Sequence, residues 1–546
     1  MSQAKDQWQS RLGVILAVAG SAVGLGNFLR FPGNAAANGG GGFMIPYFCA
    51  LIFLGIPICW AEWTMGKYGG QFGFNSCPAI FGVIGRRPIF RYLGVLGLII
   101  PIVIYMYYVL IESWCMGYAF SFAAGWIDLG DNPAQYATQS VDYFNSFVGA
   151  NQDGLMLDGR IHESVVVWLI VFAVNFYLIY RGLSKGIESF CKWAMPMMAL
   201  FAFIVLGRVL TLGTPDPAQP DLSVLNGLGF MWNPKPVDGE GSWIAALANP
   251  TVWRNAAGQI FFSLSVGFGV IVNYASYLKR KDDVVLSGLT ASSTNEFFEV
   301  CLGGLITIPA AFVFLGAVGA SKTGTFSLGF HTLPIVFQYM DGGRFFGCIW
   351  FLMLFLAAIT SSLSMLQPAI AFLEEALAIG RKASVTLLGL VTGLGSLFVI
   401  YFSKDLKVLL FLDDTVGTIM IVVLALVQVI LFSWVFGVDR GIRFAHQGAE
   451  MHLPRFFKFV IKYVSPVYLL VMIGWSCVTD SGKYYKLIRE DNQILLATGL
   501  VLVVTVFLLI LINLGGRRWK AETRDPRTDK SFGGLGAEPA RKEARR

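Results

Sequence analysis

"AGSAVGLGNFLRFP", residues Ala19–Pro32, puts three glycines, an asparagine and an arginine into the first long apolar segment of the chain. Lipid offers no hydrogen-bond partner to a bare backbone amide, so a helix-breaking stretch at that depth is costly unless the break is used. Gly20 and Gly24 stand four apart, the small-xxx-small spacing of closely packed membrane helices, and packing alone accounts for that pair. A second interruption changes the weighing. "QIFFSLSVGFGV", Gln259–Val270, places Ser263, Ser265, Gly267 and Gly269 in the middle of the sixth apolar segment. Breaks at matching positions, first and sixth of ten core helices, point to an inverted-repeat transporter that binds its substrate at the membrane midplane. A broken helix frees amides that favour a carboxylate and carbonyls that can replace the water around a small cation.

The rest of the chain agrees with a polytopic helical membrane protein. Its 546 residues are 55% hydrophobic and only 14% charged, with a mean hydropathy of +0.63. A hydrocarbon core needs about 20 apolar residues per helix. Twelve segments reach that length, at 12–36, 41–69, 90–124, 165–183, 191–212, 245–277, 285–319, 345–378, 383–402, 410–436, 457–479 and 492–514. The first is too long for a cleavable signal and is expected to stay. Lysine and arginine cluster in alternate connections, from Lys5 and Arg11 through Arg86, Arg87 and Arg91 to Lys279, Arg280 and Lys281 and the basic tail, whereas 125–164 is acidic. By the positive-inside rule both termini are expected in the cytoplasm. The net charge of +7 thus follows from topology, and the tail 515–546 is read as a solvated end and not a nucleic-acid arm. The expected division is a cytoplasmic N-terminus over 1–11, a transporter core of ten helices over 12–436, two further helices over 437–514 and the tail. Connections are expected to be short except for 125–164, 213–244 and 437–456.

Enzyme chemistry finds little support. None of the four histidines stands near a carboxylate or cysteine at metal or triad spacing, and the eight cysteines show no CxxC pattern and read as small apolar residues. Gly24-Leu25-Gly26-Asn27-Phe28-Leu29 carries two glycines of a dinucleotide fingerprint but lacks the third and follows no strand. The large acidic connection has neither cysteine nor a glycosylation sequon, which favours a bacterial inner membrane.

Longer motifs carry a resemblance. "WQSRLGVILAVAGSAVGLGNFLRFP", "NGGGGFMIPYFCALIFLGIPICWAEWTMGKYGG", "YYVLIESW", "GQIFFSLSVGFG", "DDVVLSGLTASSTNEFFEV" and "TSSLSMLQPAIAFLEE" resemble, in order, the neurotransmitter:sodium symporter family and most nearly its bacterial leucine-transporter branch. The resemblance runs from about residue 5 to 515. It implies twelve membrane helices with an inverted repeat of helices 1–5 and 6–10, helices 1 and 6 being unwound. It implies a first sodium site of the Ala22 carbonyl with Asn27, Ser263 and Asn295, completed by the substrate carboxylate. A second sodium site would use the carbonyls of Gly20, Val23 and Ala357 with the hydroxyls of Thr360 and Ser361, five neutral hard oxygens suited to a hard ion. Read alone, the hydroxyls of "TSS" need do no more than bond to the preceding turn.

The amino acid would lie against the backbone of Ala22, Gly24, Leu25 and Gly26, with the Tyr108 hydroxyl on its carboxylate. Its side chain would enter a pocket of Ile104, Tyr108, Phe262, Ser263, Ser265, Phe268, Ser361 and Met365. Such a pocket, aromatic and aliphatic without a charge, prefers apolar side chains but cannot choose among alanine, proline, valine, leucine and methionine. The resemblance also implies an outer gate of Arg30 and Asp413 over Tyr108 and Phe262, with Asp414 an alternative partner. Lys5, Trp8, Ser276, Tyr277 and Glu375 take the inner-gate positions, lysine and glutamate replacing the family's arginine and aspartate at a loss of bidentate geometry. Glu299 stands where chloride-dependent relatives carry serine, so its carboxylate is expected to supply the anion's charge. Glu62 and Glu112 are expected to be buried, Glu62 in reach of unwound backbone. The implied function is sodium-coupled import of small-to-medium apolar amino acids, independent of chloride. Rival readings are a proton-coupled or exchange transporter of the same fold, which would replace the second sodium site by a cation, or a sensor or channel. The expected partners are an amino acid, sodium ions and the lipid bilayer, with a homodimer left open and nucleic acid excluded.

Overall fold

The computed structural model describes residues 8, 11–130, 132–157, 160–234, 244, 247–321 and 325–522. They are almost wholly helical, as a chain that must satisfy every backbone amide within lipid requires. The first apolar segment is two helices, α1 (Arg11–Ala22) and α2 (Gly26–Ala37), bent by 47° at residues 23–25. Then follow α3 (Gly41–Gly70), α4 (Pro88–Ala124), α5 (Glu163–Tyr180) and α6 (Leu183–Leu210). The sixth segment is again split, into α7 (Pro250–Ser263) and α8 (Val270–Ser276). After it come α9 (Val284–Ala317), α10 (Gly343–Leu377), α11 (Arg381–Tyr401), α12 (Lys404–Ala445), α13 (Arg455–Thr479) and α14 (Asn492–Arg517). Ten helices are long and apolar enough to cross a membrane unaided, and eleven spans result when the bent first pair counts as one. The remaining apolar segment is the one divided into α7 and α8, each too short to cross alone.

The two broken segments occupy the middle of the bundle. α1 packs on α6, α9 and α10, α8 lies along α3, and α4 and α10 share the most extensive helix contact. Residues at both breaks are buried, whereas α13 and α14 expose Leu470, Val471, Leu502, Val503 and Val506 at the periphery. Backbones approach closely where glycine permits it. A Cβ on Gly66 would stand 2.2 Å from the Val272 carbonyl oxygen, and one on Gly70 1.9 Å from that of Ser276. α3 and α8 are therefore fixed against each other by backbone contact.

Outer and inner name the ends that the lysine and arginine pattern is expected to place outside and inside. On the outer side the connection 318–342, expected as a short link between spans, contains helical turns: Leu328–Thr332 and Leu333–Tyr339 are helical and fold back into the bundle. Its aromatic residues drive this, Phe330 packing on Trp114, Tyr118 and Phe351. The acidic connection 125–164 contains a helix, Tyr136–Val148, and a small antiparallel pair, Met156–Leu157 with Arg160–Ile161. Six of the eight cysteines are buried or partly so, whereas Cys301 and Cys477 are exposed on the bundle surface.

Candidate functional site

The first break leaves the amides of Gly24 and Leu25 without a helical partner, and side chains replace the lost bonds. Gly24 N donates to Asn27 Oδ1 at 2.8 Å and Leu25 N to the Tyr108 hydroxyl at 3.2 Å. The second break, residues 264–269, turns through positive φ at Ser265 (54°), Gly267 (76°) and Gly269 (82°). Glycine is required at the last of these twice over, since a Cβ would also meet the Gly97 carbonyl oxygen at 2.6 Å. Ser265 is the one non-glycine of the three, and its hydroxyl donates to the Ser21 carbonyl at 3.0 Å. That bond ties one break to the other. Glu62 serves the second break as its sequence position suggested, Oε1 accepting from Gly267 N at 3.2 Å and from Gln428 Nε2 at 2.6 Å.

Beside the first break the residues expected at one sodium site come together. Asn27 Nδ2 donates to Asn295 Oδ1 at 2.8 Å and to Glu299 Oε2 at 3.2 Å, and Asn295 Nδ2 approaches the same Glu299 oxygen at 3.3 Å. Ser263 Oγ is buried without a hydrogen-bond partner among the described residues. An orphaned hydroxyl beside two carboxamides is the donor set a sodium ion would use. Gln259 was not foreseen here: its Nε2 donates to Glu299 Oε1 at 2.8 Å. Nor were Tyr47 and Glu296, joined at 2.7 Å, and Glu296 Oε1 also faces Asn295 Nδ2 at 3.4 Å. Nothing in their spacing set these residues apart; an asparagine-glutamate pair at 295–296 on a helix already carrying Glu299 was the available signal.

The residues expected at a second sodium site also come together. Ser361 Oγ lies 3.3, 3.0 and 3.4 Å from the carbonyl oxygens of Gly20, Ser21 and Val23. One hydroxyl hydrogen cannot serve three acceptors, so the cluster is rich in oxygen lone pairs, as a cation site must be. Thr360 Oγ1 is 3.0 Å from the Ala357 carbonyl, and a Cβ on Gly20 would stand 3.4 Å from Thr360 Cβ. Below it, Ser362 Oγ donates to Asn175 Oδ1 at 2.7 Å and Asn175 Nδ2 to Glu112 Oε1 at 2.7 Å, which places buried Glu112 in a chain holding this turn of α10.

Between the two polar clusters a Cβ on Gly24 would lie 2.7 Å from Ser361 Oγ and 2.8 Å from the Tyr108 hydroxyl. Ile104 precedes Tyr108 by one turn and Met365 follows Ser361 by one turn, so these four share facing helix surfaces of α4 and α10. Phe262 meets Phe268 edge to face at 5.9 Å, and a Cβ on Gly26 would be 3.0 Å from Phe262 Cδ1. Gly24→Ala is expected to abolish substrate binding, measured by equilibrium binding of a labelled amino acid, because the methyl group takes the space between two fixed hydroxyls.

Arg30 lies at the outer end of the site. Its Nη1 lies 3.5 Å from Asp413 Oδ1, its Nη2 donates to Thr418 Oγ1 at 2.8 Å, and its guanidinium stands 4.4 Å over the Phe262 ring. Asp413 Oδ1 accepts from the Tyr107 hydroxyl at 2.9 Å, a partner missed in the sequence. Asp414 faces elsewhere, to Tyr484 and Lys483, so Asp413 is the partner of Arg30. At the inner end Trp8 Nε1 donates to the Tyr274 carbonyl at 3.2 Å. Asn75 is the unforeseen hub: its Oδ1 accepts from Ser276 at 2.9 Å, its carbonyl from Asn273 at 2.8 Å, and its amide donates to Glu375. Tyr277 accepts from Gln367 at 3.4 Å. Lys5, the expected partner of Glu375, lies outside the described residues.

Two broken helices facing a closed, polar centre between oxygen clusters define a membrane transporter of the inverted-repeat type. Residues 5–515 match the model of the Sodium:neurotransmitter symporter family, and the chain belongs to it as a sodium-dependent symporter, not an enzyme. Among its relatives, an uncharacterized sodium-dependent transporter of Methanocaldococcus jannaschii is 28% identical over 88% of this chain and 92% of its own. The sodium-dependent serotonin transporter of Drosophila melanogaster is 29% identical over 89% and 78%. Among solved structures, MhsT in complex with L-phenylalanine superposes with a TM-score of 0.72 at 23% identity, covering 86% of this chain and 99% of that one.

Proposed function

We propose that this symporter imports small-to-medium apolar amino acids with two sodium ions, by alternating access and without chloride. The observation that carries the reading is the meeting at Gly24 of two freed amides, the Tyr108 hydroxyl and Ser361, flanked by the Asn27–Asn295–Ser263 and Thr360–Ser361 clusters. Freed amides suit a carboxylate, the neutral oxygens suit sodium, and the Ile104, Phe262, Phe268 and Met365 walls suit an apolar side chain. The complex of MhsT with L-phenylalanine adds aromatic amino acids to the candidates. Sodium acts by binding the outward-open form more tightly than the inward-open one, since a ligand shifts an equilibrium only by that difference. Substrate then draws Arg30 and Phe262 closed above it, and loss of sodium from the second site releases the inner end.

Helices over 12–436 carry this cycle, with 437–514 at the periphery, in a bacterial inner membrane with both termini in the cytoplasm. Uptake of labelled alanine, proline, valine, leucine, methionine and phenylalanine into proteoliposomes, with inward sodium or choline gradients, tests the reading. Sodium-driven accumulation of at least one apolar member is expected, whereas equal uptake in choline would overturn it. The outer gate gives a graded result. Asp413→Asn is expected to slow uptake by about threefold, because Arg30 keeps Thr418 and Phe262, whereas Arg30→Ala removes all three contacts and is expected to slow it by about tenfold or more.

A further inference from the structure

We propose that Lys67 keys a clasp on the inner side, fastening the end of the broken sixth helix to the connection that follows α12 and so holding the inner pathway closed. Lys67 lies on α3 near its inner end with its side chain fully buried. A buried ammonium is tolerated only when its hydrogens are matched. Here Nζ donates at 2.8 Å to the Asp282 carbonyl, in the connection between α8 and α9, and at 2.8 Å to the Gln447 carbonyl, beyond the end of α12. The ring of Phe444 lies 5.4 Å from the ammonium, and the carboxylates of Asp282 and Asp283 supply counter-charge against Arg280.

The same two connections are joined at three further points. Arg280 Nε donates to Gln447 Oε1 at 3.2 Å, and Glu450 N donates to Asp283 Oδ2 at 2.9 Å. Asp283 Oδ1 meanwhile accepts from Val285 N and Leu286 N, so the aspartate that caps α9 is also the anchor of the strap. Gly448, at φ 85°, passes so close to the Lys281 carbonyl oxygen that a Cβ would lie 1.9 Å from it. Finally, Leu453 N donates to His446 Nε2 at 2.9 Å, closing 446–453 on itself.

Because α3 and α8 meet through backbone at Gly66 and Gly70, the contacts of Lys67 with α3 and with Asp282 belong to one rigid unit. The Gln447 carbonyl belongs to another element. The bond between them resists any movement of α8 away from the segment after α12, which is a movement that opening at Ser276 and Tyr277 requires. Lys67 is therefore a positioning residue, distant from the amino acid and the ions.

The inference rests on the alternating-access reading, and its test separates the two. A single cysteine replacing Ser276 in a cysteine-free background is labelled from the inner side, with and without sodium, in the parent, Lys67→Gln, Lys67→Arg and Gly448→Ala. In the parent, sodium is expected to slow labelling; no sodium effect there would overturn alternating access driven by sodium, whatever the other variants do. With that effect present, Lys67→Gln and Gly448→Ala are expected to raise the labelling rate in sodium by about fivefold or more, and Lys67→Arg to stay near the parent. Unchanged labelling in folded Lys67→Gln overturns the clasp. Should Lys67→Gln fail to fold, unchanged labelling in Gly448→Ala overturns it equally.

Discussion

Asn27→Ala is expected to reduce sodium-dependent uptake to the level seen in choline. The side chain does three things at once: its Oδ1 holds the freed amide of Gly24, and its Nδ2 bonds both Asn295 and Glu299. Removing it withdraws a ligand of the proposed sodium site and leaves the Gly24 amide unpaired in a buried site, a loss of about 1–3 kcal/mol for the amide alone. The measurement is uptake across a range of sodium concentrations, with sodium binding followed separately. Substantial sodium-stimulated uptake by the variant would remove Asn27 from the ion site. Asn27→Ser, which keeps one oxygen, is expected to recover part of the activity at raised sodium.

Glu299 carries the second large effect. Its two oxygens receive Gln259, Asn27 and Asn295, so in the proposed sodium site the carboxylate would lie behind the ion ligands and offset the ion's charge. Glu299→Gln preserves shape but removes the charge, and is expected to raise the sodium concentration for half-maximal uptake by about tenfold or more. Glu299→Ser opens space among three amide donors, a setting that suits a halide. Uptake by this variant is expected to depend on chloride while that of the parent does not. Comparing chloride with gluconate in both proteins decides it; a parent that needs chloride would show that the carboxylate does not stand in for the anion.

The sequence made the breaks legible because glycine, serine and asparagine inside apolar segments violate a strong physical rule. Their partners were less visible. Ser361, Thr360 and Asn295 were reached through family motifs, whereas Gln259, Asn75, Tyr107 and Gln428 are ordinary polar residues whose meaning depends on which helix they face. Asp413 and Asp414 could not be told apart by position, since adjacent helical residues differ mainly in direction; the structure turns one toward Arg30 and the other toward Tyr484. The helical turns in the connection 318–342 are not legible from the sequence because they are short and their aromatic residues find partners only in distant helices, as Phe330 does on Trp114, Tyr118 and Phe351. Lys67 lay within a quoted motif, yet nothing local indicated that its carbonyl partners come from connections some 200 and 400 residues away, at sequence separations of 215 and 380.

The hydrogen bond from Ser265 to the Ser21 carbonyl has a consequence for how the chain is made. The donor is synthesised 244 residues after its acceptor, and Ser361, which approaches the same carbonyl, 340 residues after it. The first break therefore enters the membrane long before the groups that satisfy it exist. During that interval its loose carbonyls must be matched by water, by the insertion machinery or by a temporary continuous helix. Biogenesis is thus most exposed at its first span, where the feature that serves transport is a burden until the second half of the protein arrives.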